Sequence, residues 1–186
     1  MRPAVFIDRD GTIIEEAGYL DRLDRIVFFP YAVDAARLLK RAGFAVVIVT
    51  NQAGVGRGIY AEQFVHETHA VIAARFAEGD ANVDGFYYCP HHPEASVPQY
   101  RMKCDCRKPA AGMFRKAAAD LELDLARSFA IGDKWSDVQA GQAAGARSIL
   151  VRTGYGRAIE ASPPPGVEAV VVDNLIAAVA SILRDR

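Results

Sequence analysis

Long apolar runs are missing from this 186-residue chain. None approaches the roughly 18 residues a membrane-spanning helix needs, so no membrane partner is expected. An excess of one charge is missing too: 22 Lys and Arg against 23 Asp and Glu leave a formal net charge of −1. Without a broad positive field to draw in a polyanion, nucleic acid is not expected as the main partner. No signal peptide is expected, because Met1-Arg2-Pro3-Ala4-Val5 passes at once into a strand-like run. Cysteine is scarce: three residues cannot all pair within one chain, and with no sign of export a reducing cytoplasm is the expected compartment. Repeats and low-complexity tracts are absent, and Ser162-Pro163-Pro164-Pro165-Gly166 is the one stiff linker.

What is present suits a globular domain: 51% hydrophobic and 24% charged residues. The length fits one domain over residues 1–186, able to bury about 70% of the surface its unfolded form exposes. A monomer is expected. Six short β-branched or aromatic runs occur at 5–7, 45–49, 86–88, 129–131, 148–151 and 169–172. They alternate with Ala/Leu-rich segments near 31–42, 61–77, 110–122, 135–144 and 174–184. This alternation predicts an α/β, Rossmann-like doubly wound parallel sheet with right-handed crossovers. Ligands of such sheets bind beyond the carboxyl ends of the strands. Polar residues gather at four of those ends: Asp8-Arg9-Asp10-Gly11-Thr12, Thr50-Asn51-Gln52, Cys89, and Gly132-Asp133-Lys134.

Asp8 and Asp10 lie two apart, which on an extended chain puts both on one side with Cα atoms about 6.6 Å apart. One ionised carboxylate can then attack a phosphoryl group, while like-charge repulsion favours a proton on its neighbour. An anionic nucleophile approaching an anionic phosphate needs a divalent cation, and Mg²⁺ prefers carboxylate, water and phosphate oxygens. Asp133 is the natural further ligand. Thr50 offers a hydroxyl and Lys108 a cation to the phosphate oxygens. Each aspartate taken alone reads equally well as a turn or helix cap, Asp133 and Asp137 as first-turn acids. The ordered set does not: D-x-D-G-T, then hydrophobic-Thr-Asn, then Lys-Pro, then G-D-x-x-x-D, each behind its own strand.

Those four segments stand here as "FIDRDGT", "VIVTN", "CRKP" and "IGDKWSD". With them the chain resembles the haloacid dehalogenase-like phosphohydrolases over roughly residues 3–156. The resemblance implies Asp8 as nucleophile, Asp10 as general acid/base, and Thr50 and Lys108 as phosphate holders. Mg²⁺ would be bound by Asp8, the backbone carbonyl of Asp10, and Asp133. Retention of the second aspartate points to a phosphatase or mutase rather than a dehalogenase or ion pump. Members commonly insert a cap domain between the third strand and the lysine; here only about twenty residues are available, too few for a core of their own.

That insertion, "CPHHPEASVPQYRMKCDCRKP", holds all three cysteines. Cys89-x-His91 followed by Cys104-x-Cys106 offers three thiolates and an imidazole, the ligand set of a closed tetrahedral zinc site. His91 fits the spacing better than His92, although Pro90 and Pro93 permit either. A Cys104–Cys106 disulfide would be strained. A redox switch would want an exposed reactive thiol with a resolving partner. Structural Zn²⁺ is therefore expected, tying the loop and fixing Arg107 and Lys108. His66 and His69, at helical spacing without carboxylate or thiol partners, read as helix surface.

"YYCPHHP…CDCRKP", "TNQAGVGRG" and "DRDGTIIEEAGYL" together are similar to the D-glycero-D-manno-heptose-1,7-bisphosphate 7-phosphatase family. That similarity implies Mg-dependent removal of the C7 phosphate from a small phosphorylated sugar, feeding ADP- or GDP-heptose precursors. Substrate would contact Glu16, Ala17, Gly18, Tyr19, Thr50, Asn51, Gln52, Ala53, Arg107 and Lys108, with Asp8, Arg9, Asp10 and Lys134 completing the site. Ala53 departs from the serine expected in that family. The fork-shaped Arg107 beside Lys108 suits a second phosphate. Histidinol-phosphate phosphatases share the nucleophile motif and the Cys/His loop, and Glu15 and Glu16 would suit an amine substrate. A non-catalytic phospholigand-binding module is the further alternative, against which stands the nucleophile paired with a proton carrier.

Overall fold

A strand covered on both faces must be apolar along its whole length. Ala4, Val5, Phe6 and Ile7 meet that condition, each at 0% exposure, and form β1 (Ala4–Ile7) at the centre of the sheet. The computed structural model describes residues 1–185. After β1 come α1 (Ala32–Arg41), β2 (Ala45–Asn51), α2 (Ala53–Gly56), α3 (Glu62–Glu78) and β3 (Gly85–Cys89). The second half holds α4 (Gly112–Leu121), β4 (Phe129–Gly132), α5 (Trp135–Ala144), β5 (Arg147–Val151), α6 (Gly156–Ile159), β6 (Val170–Val172) and α7 (Leu175–Arg184). All strands pair in parallel in the order β3-β2-β1-β4-β5-β6. The chain therefore reverses direction across the sheet between β1 and β4, where α/β folds open a crevice.

One face of the sheet carries α1 and α7, which bury Ala32, Ala35, Ala36, Leu39 and Leu175, Ala178, Val179, Ile182. Both sets follow the i, i+3, i+4, i+7 stripe of an amphipathic helix. The other face takes Met113, Phe114 and Ala117 of α4, with the Phe114 ring 4.7 Å from that of Phe6. Asn174 caps α7 by accepting the Ala177 N–H at 3.0 Å. Among the described residues, no helix is long and apolar enough to cross a membrane.

The predicted strands and long helices form within a residue or two of their expected bounds. The short helices α2 and α6 lie outside the expectation, since four residues are too few to leave a periodic signal. The proline linker forms only a turn between α6 and β6.

One of the two histidines of α3 requires a correction. His66 is exposed, but its Nε2 lies 3.2 Å from the Tyr88 hydroxyl. His69 is not surface at all: it is 6% exposed, stacked at 4.6 Å on Phe86 and edge-on to Tyr88. Its Nε2 has no hydrogen-bond partner. Burial, helped by the charges of Arg9 and His66 and opposed by Asp10, lowers its pKa from 6.5 to about 3. The unfolded chain therefore takes up a proton between pH 6.5 and 3 that the folded chain refuses, and stability falls as pH drops through that window. This group alone should cost about 2 kcal/mol between pH 6.5 and 5. His69→Phe is expected to flatten that acid limb in urea unfolding midpoints compared at pH 7 and pH 5; an equal loss in both proteins would assign it elsewhere.

Candidate active site

Asp8 sits one residue beyond β1, its N–H bonded to Ile131 O at 2.9 Å, and is 4% exposed. Lys108 reaches it from the long loop after β3, with Nζ 2.7 Å from Asp8 Oδ1, 2.8 Å from Val49 O and 2.6 Å from Asp137 Oδ1. The Lys108 backbone is clipped to Asn51, whose side-chain amide gives and receives one bond of 3.0 Å with it. Asp137 also accepts the Lys134 N–H at 2.9 Å, so this first-turn acid caps α5 and holds Lys108 in place at once.

Asp133 follows β4 directly, in a cradle of backbone. Its Oδ2 accepts the Tyr155 N–H at 2.8 Å, while Cβ atoms built on Gly11 and Gly154 would lie 2.3 and 2.1 Å from the same oxygen. Thr153 ties that wall to the first loop through Gly11 O at 2.6 Å. A fifth strand end, that of β5, thus joins the four expected from the sequence.

Asp8, Asp133 and Asp137 place carboxylate oxygens within 4.8 Å of one another, all buried. Burial raises Asp8 to about 6 against the pull of Lys108, and burial with the Asp8 charge raises Asp133 to about 8. Burial opposes the Lys108 ammonium, but Asp137 and Asp8 outweigh it and hold its pKa above the ordinary lysine value. Negative charge is in excess here, and Asp133 Oδ1 is buried without a hydrogen-bond partner. An all-oxygen, over-acidic pocket with a buried carboxylate oxygen that lacks a hydrogen bond fits a small hard dication such as Mg²⁺.

Above this floor Asp8, Asp10, Thr50, Asn51, Lys108, Lys134, Ser136 and Asp137 bound a small recess. It shares Asp10, Asn51, Lys108, Lys134 and Ser136 with a cleft of about 590 Å³ walled also by Arg9, Glu16, Gly18, Tyr19, Gln52, Ala53 and Arg107 among others. Of the residues expected to touch substrate, Ala17 alone lines neither space; its carbonyl accepts from Arg25 at 3.4 Å. Arg25 also reaches Tyr19 O and, at 2.6 Å, Asp21, which shapes the 16–21 loop. Glu16 spans the cleft to Lys134 at 3.2 Å and accepts the Gly18 N–H at 2.8 Å. Arg107 is anchored through His91 O at 3.2 Å. Gly154, Thr153, Tyr155 and Arg25 carried no motif that marked them, and Gly11 and Ser136 stood inside motifs without a role of their own; only the convergence of loops marks all six.

The Cys/His loop closes on itself. Cys89 Sγ lies 3.0 Å from Cys106 Sγ and 3.5 Å from Cys104 Sγ, Cys104 and Cys106 are 3.2 Å apart, and His91 Nδ1 stands 3.4 Å from Cys106 Sγ. No pair is bonded as a disulfide, and all four donor atoms fall within 4.8 Å. His92 instead uses Nδ1 to accept the Glu94 N–H at 3.1 Å. Three sulfurs and one imidazole around a common centre fit Zn²⁺. Purified protein is expected to hold about one zinc per chain, and Cys106→Ser to lose it while keeping its far-UV spectrum, since the sheet does not depend on the loop. Activity should fall about 10²-fold because Arg107 and Lys108 follow the last ligand directly. Metal analysis beside kinetics checks this, and a zinc-free wild type with full activity would overturn it.

A family model described as HAD-hydrolase-like matches residues 105–178. The D,D-heptose 1,7-bisphosphate phosphatase of B. bronchiseptica, solved with magnesium and phosphate, superposes with a TM-score of 0.86 at 31% identity, covering 99% of each chain. The D,D-heptose 1,7-bisphosphate phosphatase of Burkholderia thailandensis does so with 0.72 at 29%, covering 98% of this chain and 99% of its own. Fold and site together define a haloacid dehalogenase-like phosphohydrolase. Among curated proteins, the D-glycero-β-D-manno-heptose-1,7-bisphosphate 7-phosphatase of Escherichia coli K12 is 46% identical over 82% of this chain and 80% of its own. The protein of that name in Haemophilus influenzae is 40% identical over 95% and 94%. The chain belongs to this heptose-bisphosphate phosphatase family.

Proposed function

We propose that the protein removes the C7 phosphate of D-glycero-D-manno-heptose 1,7-bisphosphate through a phospho-Asp8 intermediate. The observation that carries this reading is the buried Asp8–Lys108 pair beside an over-acidic cluster, at the floor of a cleft whose walls hold Arg9, Arg107 and Lys134. A nucleophile, a counter-cation and a dication site at one strand edge suit attack on a phosphate monoester.

An Asp8 oxygen forms the bond to phosphorus as the bond from phosphorus to the sugar oxygen breaks. Asp10, protonated, passes its proton to the departing oxygen, and as carboxylate then takes one from the water that attacks phospho-Asp8. Inorganic phosphate leaves and Asp8 is restored. Thr50, Lys108 and Lys134 hold the transferring group. Arg107 takes the second phosphate, and Glu16, Gly18, Tyr19, Asn51, Gln52 and Ala53 border the sugar. Mg²⁺, held by Asp8, the Asp10 carbonyl and Asp133, would offset the charge between carboxylate and phosphate. Zn²⁺, held by Cys89, His91, Cys104 and Cys106, would keep the Arg107–Lys108 segment in register. Glu16 is already paired with Lys134, which leaves less acidity for the amine of histidinol phosphate.

Steady-state kinetics on heptose 1,7-bisphosphate, fructose 1,6-bisphosphate and histidinol phosphate test the reading. The heptose bisphosphate is expected to show the highest kcat/KM, with loss of activity in excess EDTA restored by Mg²⁺. Preference for histidinol phosphate, or full activity without a divalent cation, would overturn it.

A further inference from the structure

Gln52 is 2% exposed and makes four hydrogen bonds through one carboxamide. Its Oε1 accepts from Arg9 Nη2 at 3.0 Å and from the Tyr60 hydroxyl at 2.8 Å. Its Nε2 donates to Asp10 Oδ2 at 2.9 Å and to Thr50 Oγ1 at 2.8 Å. An amide has two lone pairs and two protons, so its capacity is filled. Its orientation is also decided: a guanidinium can only donate, so the reverse placement would set the amide NH₂ against Arg9 Nη2.

We propose that Gln52, locked by Tyr60, is a positioning residue that sets where the proton carrier Asp10 points and which way the Thr50 hydroxyl donates. The proposal rests on the phosphatase reading above and deepens it. Asp10 receives Arg9 Nε at 3.0 Å and Gln52 Nε2 on Oδ2, and Arg9 Nη2 at 3.1 Å on Oδ1. Arg9 by itself could swing its carboxylate partner with it; Gln52 ties both to the end of β2. The same Nε2 occupies Thr50 Oγ1 as an acceptor, which leaves the single Thr50 proton for another partner. Thr50 faces the recess shared by Asp8, Lys108 and Lys134, where a phosphoryl oxygen would take that proton.

A second observation shows that the lock is built into the fold. Gln52 and Tyr60 flank α2, and the Tyr60 ring lies across that turn where Gly54 has no side chain. A Cβ on Gly54 would fall 2.3 Å from Tyr60 Cζ and 2.5 Å from its hydroxyl oxygen. Only glycine there lets the ring reach Gln52. Burial pushes the Tyr60 pKa up to about 12, so the hydroxyl stays a donor at working pH.

The test uses two aryl esters that differ in their need for a proton. p-Nitrophenolate leaves unaided, whereas phenolate from phenyl phosphate depends far more on a positioned acid. Single-turnover release is measured for wild type, Gln52→Met, Tyr60→Phe and Gly54→Ala, with zinc content and far-UV spectra as checks of folding. Gln52→Met is expected to slow phenol release about 10²-fold, as for a misaligned general acid, and nitrophenol release less than about tenfold. Inhibition by inorganic phosphate should weaken in Gln52→Met as Thr50 loses its fixed orientation. Tyr60→Phe removes one hydroxyl without altering the core shape and should show the same leaving-group bias at smaller size; Gly54→Ala should follow it. Equal losses on the two esters in folded variants, or none, would overturn the positioning role and leave the phosphatase reading standing. A wild type inactive on both esters would overturn that reading, and this inference with it.

Discussion

Asp8→Asn is expected to lower turnover by at least about 10⁴-fold, the order seen when a covalent nucleophile is removed. The amide keeps the shape, and its carbonyl oxygen can still accept the Lys108 bond, but the attacking charge is gone. The same substitution should make the metal-free protein more stable. In the native chain burial lifts the Asp8 pKa from 3.8 to about 6. A raised acid pKa means the folded state holds the proton more tightly than the unfolded one, so stability is lost as pH rises from 3.8 through about 6. At pH 7 in EDTA the asparagine variant should gain on the order of 1–3 kcal/mol over wild type, and the gap should close below pH 4. Added Mg²⁺ should narrow it from the other side, by binding the wild type more tightly. Thermal melts at two pH values, with and without Mg²⁺, read all of this. A variant that turns over near wild-type rate would remove phospho-Asp8 from the mechanism. One that is dead but no more stable would mean that Asp8 carries no electrostatic strain.

Gly154→Ala is expected to cost about 10²-fold in kcat/KM at limiting Mg²⁺, although residue 154 carries no chemistry of its own. Its Cβ would lie 2.1 Å from Asp133 Oδ2 and 2.8 Å from Gly11 Cα, so either the carboxylate or the first loop must move. The residue also has φ 54°, which adds backbone strain for alanine. Gly166→Ala separates the two causes, because Gly166 has φ 74° but nothing within 4 Å of the added Cβ. Both variants should lose stability; only Gly154→Ala should need more Mg²⁺ for half-maximal activity. An unchanged Mg²⁺ dependence in Gly154→Ala would mean that the cradle does not position Asp133.

Much of this was legible in the sequence because it is local or periodic. Runs such as Ala45–Val49 are apolar without alternation, which only a strand covered on both faces requires, and the Ala/Leu stripes of α1 and α7 mark the faces that cover them. Asp8 and Asp133 were visible since each directly follows a strand, and parallel strands in such a sheet bring those ends together; Lys108 was visible through its place in the ordered motif set. Cys89, His91, Cys104 and Cys106 were visible because metal chemistry constrains both residue type and spacing.

What the tertiary structure decided is what depends on contacts between segments distant in sequence. His69 looks like its neighbour His66 along α3, yet lies buried against Phe86 because β3 packs there, and helical spacing alone does not say which face meets the sheet. Asp137 reads as a helix cap and is one, but its second role appears only when Lys108 arrives from the β3 loop. Gly11 and Gly154 are ordinary turn glycines until β5 sets both against Asp133. Gln52 reads as a substrate contact beside Thr50 and Asn51, and its amide proves filled by Arg9, Asp10, Thr50 and Tyr60. Sequence alone marked the sheet, the candidate reacting groups and the candidate metal donors, because propensity, periodicity and ligand chemistry act over a few residues. How those groups are aimed was decided by the fold, because hydrogen bonds and close contacts across the strand ends exist only once five loops meet.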